Sequence, residues 1–231
     1  MDSTKIGKFR VYYDNREEFH RLRREVFGNH EYYAEFETDK PYIIDAGAHI
    51  GLSVLYFKSL APGAEILAIE PNSKVLPLLQ KNVFENQLEG VVIEPVALSD
   101  RAGREKFYLD ASAWQWYSTA GMHKGAWNGR QESLELTVET RRLADFLVQR
   151  VDLLKMDIEG VEEKVLVDCG DEIRRVRELM VEFHGVGNNS LVRLVRFLEE
   201  EGFGVEVIKG TRRVDPAKAT GLSMVRAMRA A

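Results

Sequence analysis

Four short apolar runs each end on a residue that can do chemistry. Tyr42-Ile43-Ile44 leads into Asp45, Glu65–Ile69 into Glu70, Val151–Met156 into Asp157, and Leu179–Phe183 into His184. Runs of that length between turn residues read as buried strands. In an open α/β sheet, ligands sit outside the carboxyl ends of the strands. Three carboxylates and an imidazole at such ends, with Ala97 closing a further strand over 91–96, should converge on one cleft. Carboxylates there can hold a cationic ligand or accept bonds from hydroxyls, and an imidazole can take up a proton.

The turn after Asp45 is the most informative. It reads Asp45-Ala46-Gly47-Ala48-His49-Ile50-Gly51, and an apolar helical pattern follows from Leu52. A strand, a tight glycine turn and a helix start are the ingredients of a nucleotide-binding turn, where backbone must come close to a ligand or to the next helix. The dinucleotide fingerprint Gly-x-Gly-x-x-Gly is broken by Ala48 to Ile50. Asp45 beside the turn repels phosphate and favours a cation, so the turn suits a nucleoside with a positively charged amino-acid tail better than NAD. Glu70 lies about 20 residues on, where an acidic side chain accepts bonds from ribose hydroxyls.

These residues need a scaffold, and the chain alternates accordingly. Helices are expected over 52–60, 75–88, 143–148, 161–176 and 190–201, between strands over 43–46, 65–69, 91–96, 151–156 and 179–183. Phe203–Ile208 and Leu222–Met228 are joined by too short a turn for a crossover, so they should pair antiparallel. The expected fold class is α/β: a doubly wound, seven-stranded, mostly parallel sheet with an antiparallel last strand. Residues 1–40, with a strand near 8–13 and a helix capped around Asp14 to Glu17, read as a cap on a main domain over 41–231. Glu105–Leu109 and Leu134–Glu139 alternate as edge or antiparallel strands. The intervening 111–132, with Trp114, Trp116, Tyr117 and Trp127, is long for an inert connection. It reads as a binding lid, the alternative being an ordered surface excursion.

The chain has 231 residues, 45% hydrophobic and 30% charged, with net charge −5. That suffices for a sizeable core and argues against nucleic acid as the main partner. The lone Cys169 fits a reducing compartment. No apolar run approaches the ~20 residues of a membrane span, and the first residues lack a secretory apolar stretch. The expected location is cytoplasmic, and oligomeric state is not legible.

Taken together, Ile43 to Gly51, Ile69-Glu70-Pro71-Asn72, Val96 to Asp100, Leu153 to Glu162 and Val181-Glu182-Phe183-His184 resemble the FkbM family of methyltransferases. Lys155-Met156-Asp157-Ile158-Glu159-Gly160 is the most specific part. The resemblance implies a class I, Rossmann-like fold, S-adenosyl-L-methionine as cofactor, and methyl transfer to a hydroxyl of a sugar or secondary metabolite. It places Gly47, His49 and Gly51 along the cofactor, Asp45 and Asp157 near its methionine end, Glu70 and Asn72 at the ribose, and Ala97 at adenine. It brings Lys155, Asp157, Glu159 and His184 to the reacting centre, with His184 or Asp157 taking the proton. Glu182 is expected to point away or to hold the imidazole. Trp114, Trp116 and Tyr117 are expected to contact a small-molecule acceptor. No metal is expected, although Asp157, Glu159, Glu182 and His184 offer ligand atoms. The competing readings are methylation of a peptide amide or other amine, a nicotinamide oxidoreductase on a similar fold, and a cofactor-binding module without turnover.

Overall fold

A computed structural model describes residues 1–111, 117–124 and 133–229. The chain opens with a hairpin of β1 (Asp2–Ile6) and β2 (Phe9–Tyr13), then α1 (Arg16–Arg23), which tightens into a π-helical turn over Arg24–Gly28. Asn15 caps α1, its side-chain oxygen accepting from the N–H groups of Glu17 and Glu18 at 3.1 Å. Next come β3 (Tyr42–Ala46), α2 (Leu52–Leu60), β4 (Glu65–Ile69), α3 (Leu76–Glu85) and β5 (Val91–Glu94). The middle holds β6 (Ala97–Leu98), β7 (Gly103–Asp110) and β8 (Ser133–Arg141). The last stretch runs β9 (Val151–Met156), α4 (Glu162–Asp168), β10 (Val176–Phe183), α5 (Leu191–Glu200), β11 (Phe203–Lys209), β12 (Arg212–Arg213) and β13 (Ser223–Arg229).

The main sheet has the order β12-β11-β13-β10-β9-β3-β4-β5. Strands β5, β4, β3, β9 and β10 run parallel to one another, and β13 is antiparallel to both β10 and β11. The seven expected strands are therefore present, and the two-residue β12 adds an eighth at the edge. Successive strand residues face opposite layers. Ile43 and Leu153 enter the core with α2 and α3, whereas Ile44 and Leu154 enter the core with α4 and α5.

Several expectations change in detail. The strand expected over 91–96 stops at Glu94, and Ala97 belongs to a separate three-stranded sheet, β6-β8-β7. That sheet stands where a helix would otherwise connect β5 to β9. Only Leu143–Phe146 is helical near 143–148, as one 3-10 turn. The helix expected over 161–176 ends at Asp168, with Gly170 at φ +52 breaking the ladder before a 3-10 segment. The first strand, Asp2–Ile6, carries mostly polar, exposed residues and gave no apolar signal.

The N-terminal segment packs into the same apolar cluster as β3 and α2, through Val11, Phe19, Val26 and Tyr32. Asn82 of α3 and Asn86, which caps its C-terminal end, grip β2 as a neighbouring strand would. Asn82 accepts from Tyr12 N–H and donates to the carbonyls of Tyr12 and Ile50; Asn86 does the same for Arg10. Asn82 thereby ties the hairpin to the glycine turn.

Candidate active site

The glycine turn is shaped first by the protein itself. Gly47 has φ +81, and a Cβ there would lie 1.8 Å from the Asp157 carbonyl oxygen at the end of β9. Gly51, at φ +87, leaves room for Leu79 of α3. His49 between them also adopts a left-handed backbone, φ +49, which is uncommon outside glycine. Its N–H donates to Glu70 Oε2 at 2.8 Å, and Asn72 N–H donates to Glu70 Oε1 at 2.8 Å. Glu70 is thus held at the mouth of β4. Burial pushes its carboxyl up to about 7, against the pull of those two donors.

Beneath the turn lies a buried ion pair. Lys155 Nζ stands 3.2 Å from Asp45 Oδ1, donates to the Gly47 carbonyl at 2.7 Å and faces the Tyr32 ring at 5.3 Å. Ser53 Oγ donates to Asp45 Oδ2 at 2.5 Å. Both charged side chains are almost wholly buried, at 3% and 0% exposure. Asp45 therefore fixes Lys155 and the helix start; it does not reach into the cleft.

A second cluster sits beyond the ends of β9 and β10. His184 Nδ1 lies 2.9 Å from Glu162 Oε1, and Nε2 lies 3.4 Å from Glu159 Oε2 and 4.0 Å from Asp157 Oδ1. Glu162 is completely buried, and donors surround it. Gly160 N–H bonds Oε1 at 2.8 Å and Asn189 Nδ2 bonds Oε2 at 2.7 Å. Such a carboxylate orients the imidazole and places Nδ1–H on Glu162. Burial disfavours the imidazolium, but the Glu162 hydrogen bond and the charges of Glu159, Asp157 and Glu162 prevail, raising His184 to about 10. Burial in turn pushes Glu159 up to about 8, although His184 pulls it down. Glu159 adopts φ +59, and Gly160 follows at +108. Glu182 does not point away. The Tyr32 hydroxyl donates to its Oε1, and its carboxylate stands within 4.8 Å of ligand-type atoms of Asp157 and His184.

Turn and cluster face one open cleft, with about 810 Å³ of free space when its mouth is included. Its lining includes the apolar Ile69, Pro71, Ala97, Leu98, Phe107 and Met122. It also includes the carboxylates of Glu70, Asp157 and Glu159, with Gly47, His49 and Lys155. Leu22, Val26 and Tyr32 come in from the N-terminal segment. Apolar side chains together with three carboxylates match a ligand with a flat base, a ribose and a cationic tail.

The profile of the methyltransferase FkbM domain matches residues 45–205, from the glycine turn into β11. The chain belongs to the FkbM methyltransferase family. It is 30% identical over 220 residues to methyltransferase sdnD of Sordaria araneosa, covering 80% of this chain and 82% of that one. It is 29% identical over 214 residues to the 31-O-demethyl-FK506 methyltransferase FkbM of Streptomyces tacrolimicus, covering 80% and 81%. Among solved structures, an FkbM methyltransferase from Methylobacillus flagellatus superposes with a TM-score of 0.58 at 16% identity, over 84% of this chain and 44% of that longer one. That likeness is one of fold, the class I methyltransferase fold expected from the sequence. The chain is thus an S-adenosylmethionine-dependent methyltransferase, and the nicotinamide alternative falls.

Within this FkbM-family cleft, Gly47, His49, Glu70, Ala97, Lys155, Asp157, Glu159 and Tyr117 line the wall. Asp45 and Gly51 lie behind it, as structural supports. Asn72 is buried beside Glu70 with its Nδ2 unpartnered and is not among the residues lining the cleft. His184 lies behind Glu159, not on the wall. Trp114, Trp116 and Trp127 fall outside the described residues. Glu162, Tyr32 and Asn189 were not anticipated as site residues. Glu162 left no distinct signal, since it reads as one of two acids opening a helix.

Proposed function

We propose that the protein transfers the methyl group of S-adenosylmethionine to a hydroxyl of a sugar or secondary metabolite, with Glu159 as proton acceptor and His184 as its charged partner. The carrying observation is the chain Glu162–His184–Glu159, with only Glu159 reaching the cleft. A neutral imidazole was the sequence-based expectation. With His184 raised to about 10, the ring is a cation at neutral pH and cannot take the proton. Glu159, near 8, is matched to that task as pH rises.

The cofactor, when bound, supplies an electrophilic methyl on a sulfonium. Glu70 is the residue for the ribose hydroxyls, since each of its oxygens uses one lone pair on a backbone N–H and keeps another. Ala97, Leu98, Phe107 and Met122 offer the apolar slot for adenine. Asp157, whose Oδ1 is buried without a hydrogen-bond partner, suits the cationic end. As an acceptor oxygen took the methyl, with the S–CH3 bond breaking to leave neutral S-adenosylhomocysteine, its proton would pass to Glu159, and His184 would steady that carboxylate by charge and position. Alignment of this kind supplies several kcal/mol of a barrier.

The name of the 31-O-demethyl-FK506 methyltransferase, an O-methylating relative, supports oxygen over amide nitrogen as acceptor. The test is S-adenosylhomocysteine release with hydroxylated macrolide and monosaccharide acceptors, followed by mass spectrometry of the product. Methylation on oxygen supports the proposal; methylation on nitrogen, or binding without turnover, rejects it. Asp157, Glu182 and His184 form a set that can hold a cation. A cationic His184 does not ligate, so turnover is expected to survive EDTA.

A further inference from the structure

The turn that carries Glu159 is gripped by a segment the proposed chemistry has not used. Glu159 sits at φ +59 and Gly160 at φ +108. A non-glycine residue in the left-handed region keeps that backbone only where its surroundings over-determine it. Residues 120–123, part of the stretch expected as a lid, supply such surroundings. Gly121 is buried against the turn: a Cβ there would lie 2.8 Å from Glu159 Cβ and 2.9 Å from the Glu159 carbonyl oxygen. The His123 ring fills the gap between two further glycines. A Cβ on Gly160 would lie 3.2 Å from its Cδ2, and a Cβ on Gly187 would lie 3.0 Å from its Cε1. Gly187 belongs to the loop that follows His184 and delivers Asn189 to Glu162. His123 is therefore wedged between the Glu159 turn and the loop that fixes the other end of the Glu162–His184–Glu159 chain.

The segment is itself anchored. Gly121 exchanges two backbone hydrogen bonds with Tyr108 of β7, at 2.8 and 3.0 Å. Ala120 and Met122 flank it, pack against the core of the small sheet and line the cleft. That sheet thus lines the cleft at Ala97, Leu98 and Phe107 and, through Gly121, presses on the Glu159 turn. Gly121 and His123 are not among the residues lining the cleft. They can act on a ligand there only through Glu159.

We infer that Gly121 and His123 are positioning residues, which clasp the Glu159–Gly160 turn to the small sheet and so hold the Glu159 carboxylate beside His184 and toward the cleft. The inference rests on the reading of Glu159 as proton acceptor and adds the device that places it.

The test is amide hydrogen exchange, followed by NMR on the full ligand-free chain. The Gly160 N–H, bonded to Glu162 Oε1 at 2.8 Å, reports on the turn; the Asp157 N–H, bonded to the Ala46 carbonyl at 3.0 Å, reports on the sheet beneath it. His123→Ala should speed Gly160 exchange about tenfold and leave Asp157 within about twofold, because the opening is local. Gly121→Ala should do the same from the other side of the turn. His123→Phe keeps a flat ring at a half-buried position and should restore protection. With 13C at the glutamate carboxyls, the Glu159 signal is assigned by its absence from Glu159→Gln. It should move in His123→Ala and return in His123→Phe, while the Glu70 signal stays fixed. The inference is overturned if Gly160 and Asp157 speed up together, if neither changes, or if His123→Phe behaves like His123→Ala. The proton-acceptor reading fails separately: full turnover by Glu159→Gln would reject it, whereas exchange is read without turnover and still decides whether the turn is clasped.

Discussion

At the scale of single residues, the account turns on which group is charged. His184 has one buried carboxylate on Nδ1 and another acid on Nε2, so it holds its proton; Glu159, the member of that chain that lines the cleft, titrates instead. Turnover should therefore rise with pH through about 8 as Glu159 ionises. Glu159→Gln should lower kcat by about 10²–10⁴-fold and abolish that limb, read from pH–rate profiles of both proteins. A rise centred near 6.5 that survives the substitution would return the proton to a histidine. The carboxylates at strand ends were legible because each follows an apolar run. Glu162 was not, because two acids opening a helix normally face water and favour its dipole. Its burial depends on Asn189 and His184, which arrive from another loop.

At the scale of elements, the glycine turn is held from below and from the side. A methyl group on Gly47 would overlap the Asp157 carbonyl, so Gly47→Ala should force β3 and β9 apart. The expected outcome is a large loss of thermal stability together with loss of S-adenosylhomocysteine binding by calorimetry. Lys155→Ala would leave Asp45 charged, buried and unpaired. Breaking such a pair costs about 3–5 kcal/mol, measurable as a lower urea midpoint at unchanged slope. An unaltered midpoint would mean that Asp45 finds another partner. The alternation of strands and helices was readable from period and punctuation, including the antiparallel β11–β13 pair. The small sheet was legible only as two alternating strands, since nothing local says that Ala97 leaves the main sheet to join β8. The helix expected over 161–176 failed at Gly170, where a left-handed backbone outweighs an amphipathic pattern.

For the molecule as a whole, the cleft concentrates acids whose carboxyls are harder to ionise than in the unfolded chain. Burial raises Glu70 and Glu182 to about 7 and Glu159 to about 8, from 4.5. Between about 4.5 and 8 the folded state binds these protons more tightly than the unfolded state, so their contribution falls as pH rises. His184, raised from 6.5 to about 10, contributes fully below 6.5 and loses that contribution as pH climbs through 10. Both effects run the same way. The ligand-free protein should melt at progressively lower temperature from pH 5 to 9, and cationic S-adenosylmethionine should stabilise it more at the alkaline end. Differential scanning fluorimetry across that range checks both, and a flat profile would contradict the burial assigned to these acids. The link between the N-terminal segment and the site is a whole-chain property. Tyr32 and Glu182 are 150 residues apart, and no local pattern announces that bond.

The most direct measurement is the crystal structure of the complex with S-adenosylhomocysteine. The account predicts ribose hydroxyls on Glu70, adenine against Ala97 and Phe107, and the sulfur facing Glu159 with His184 behind it. A ribose placed away from Glu70, or a sulfur turned from Glu159 toward the apolar slot, would contradict it.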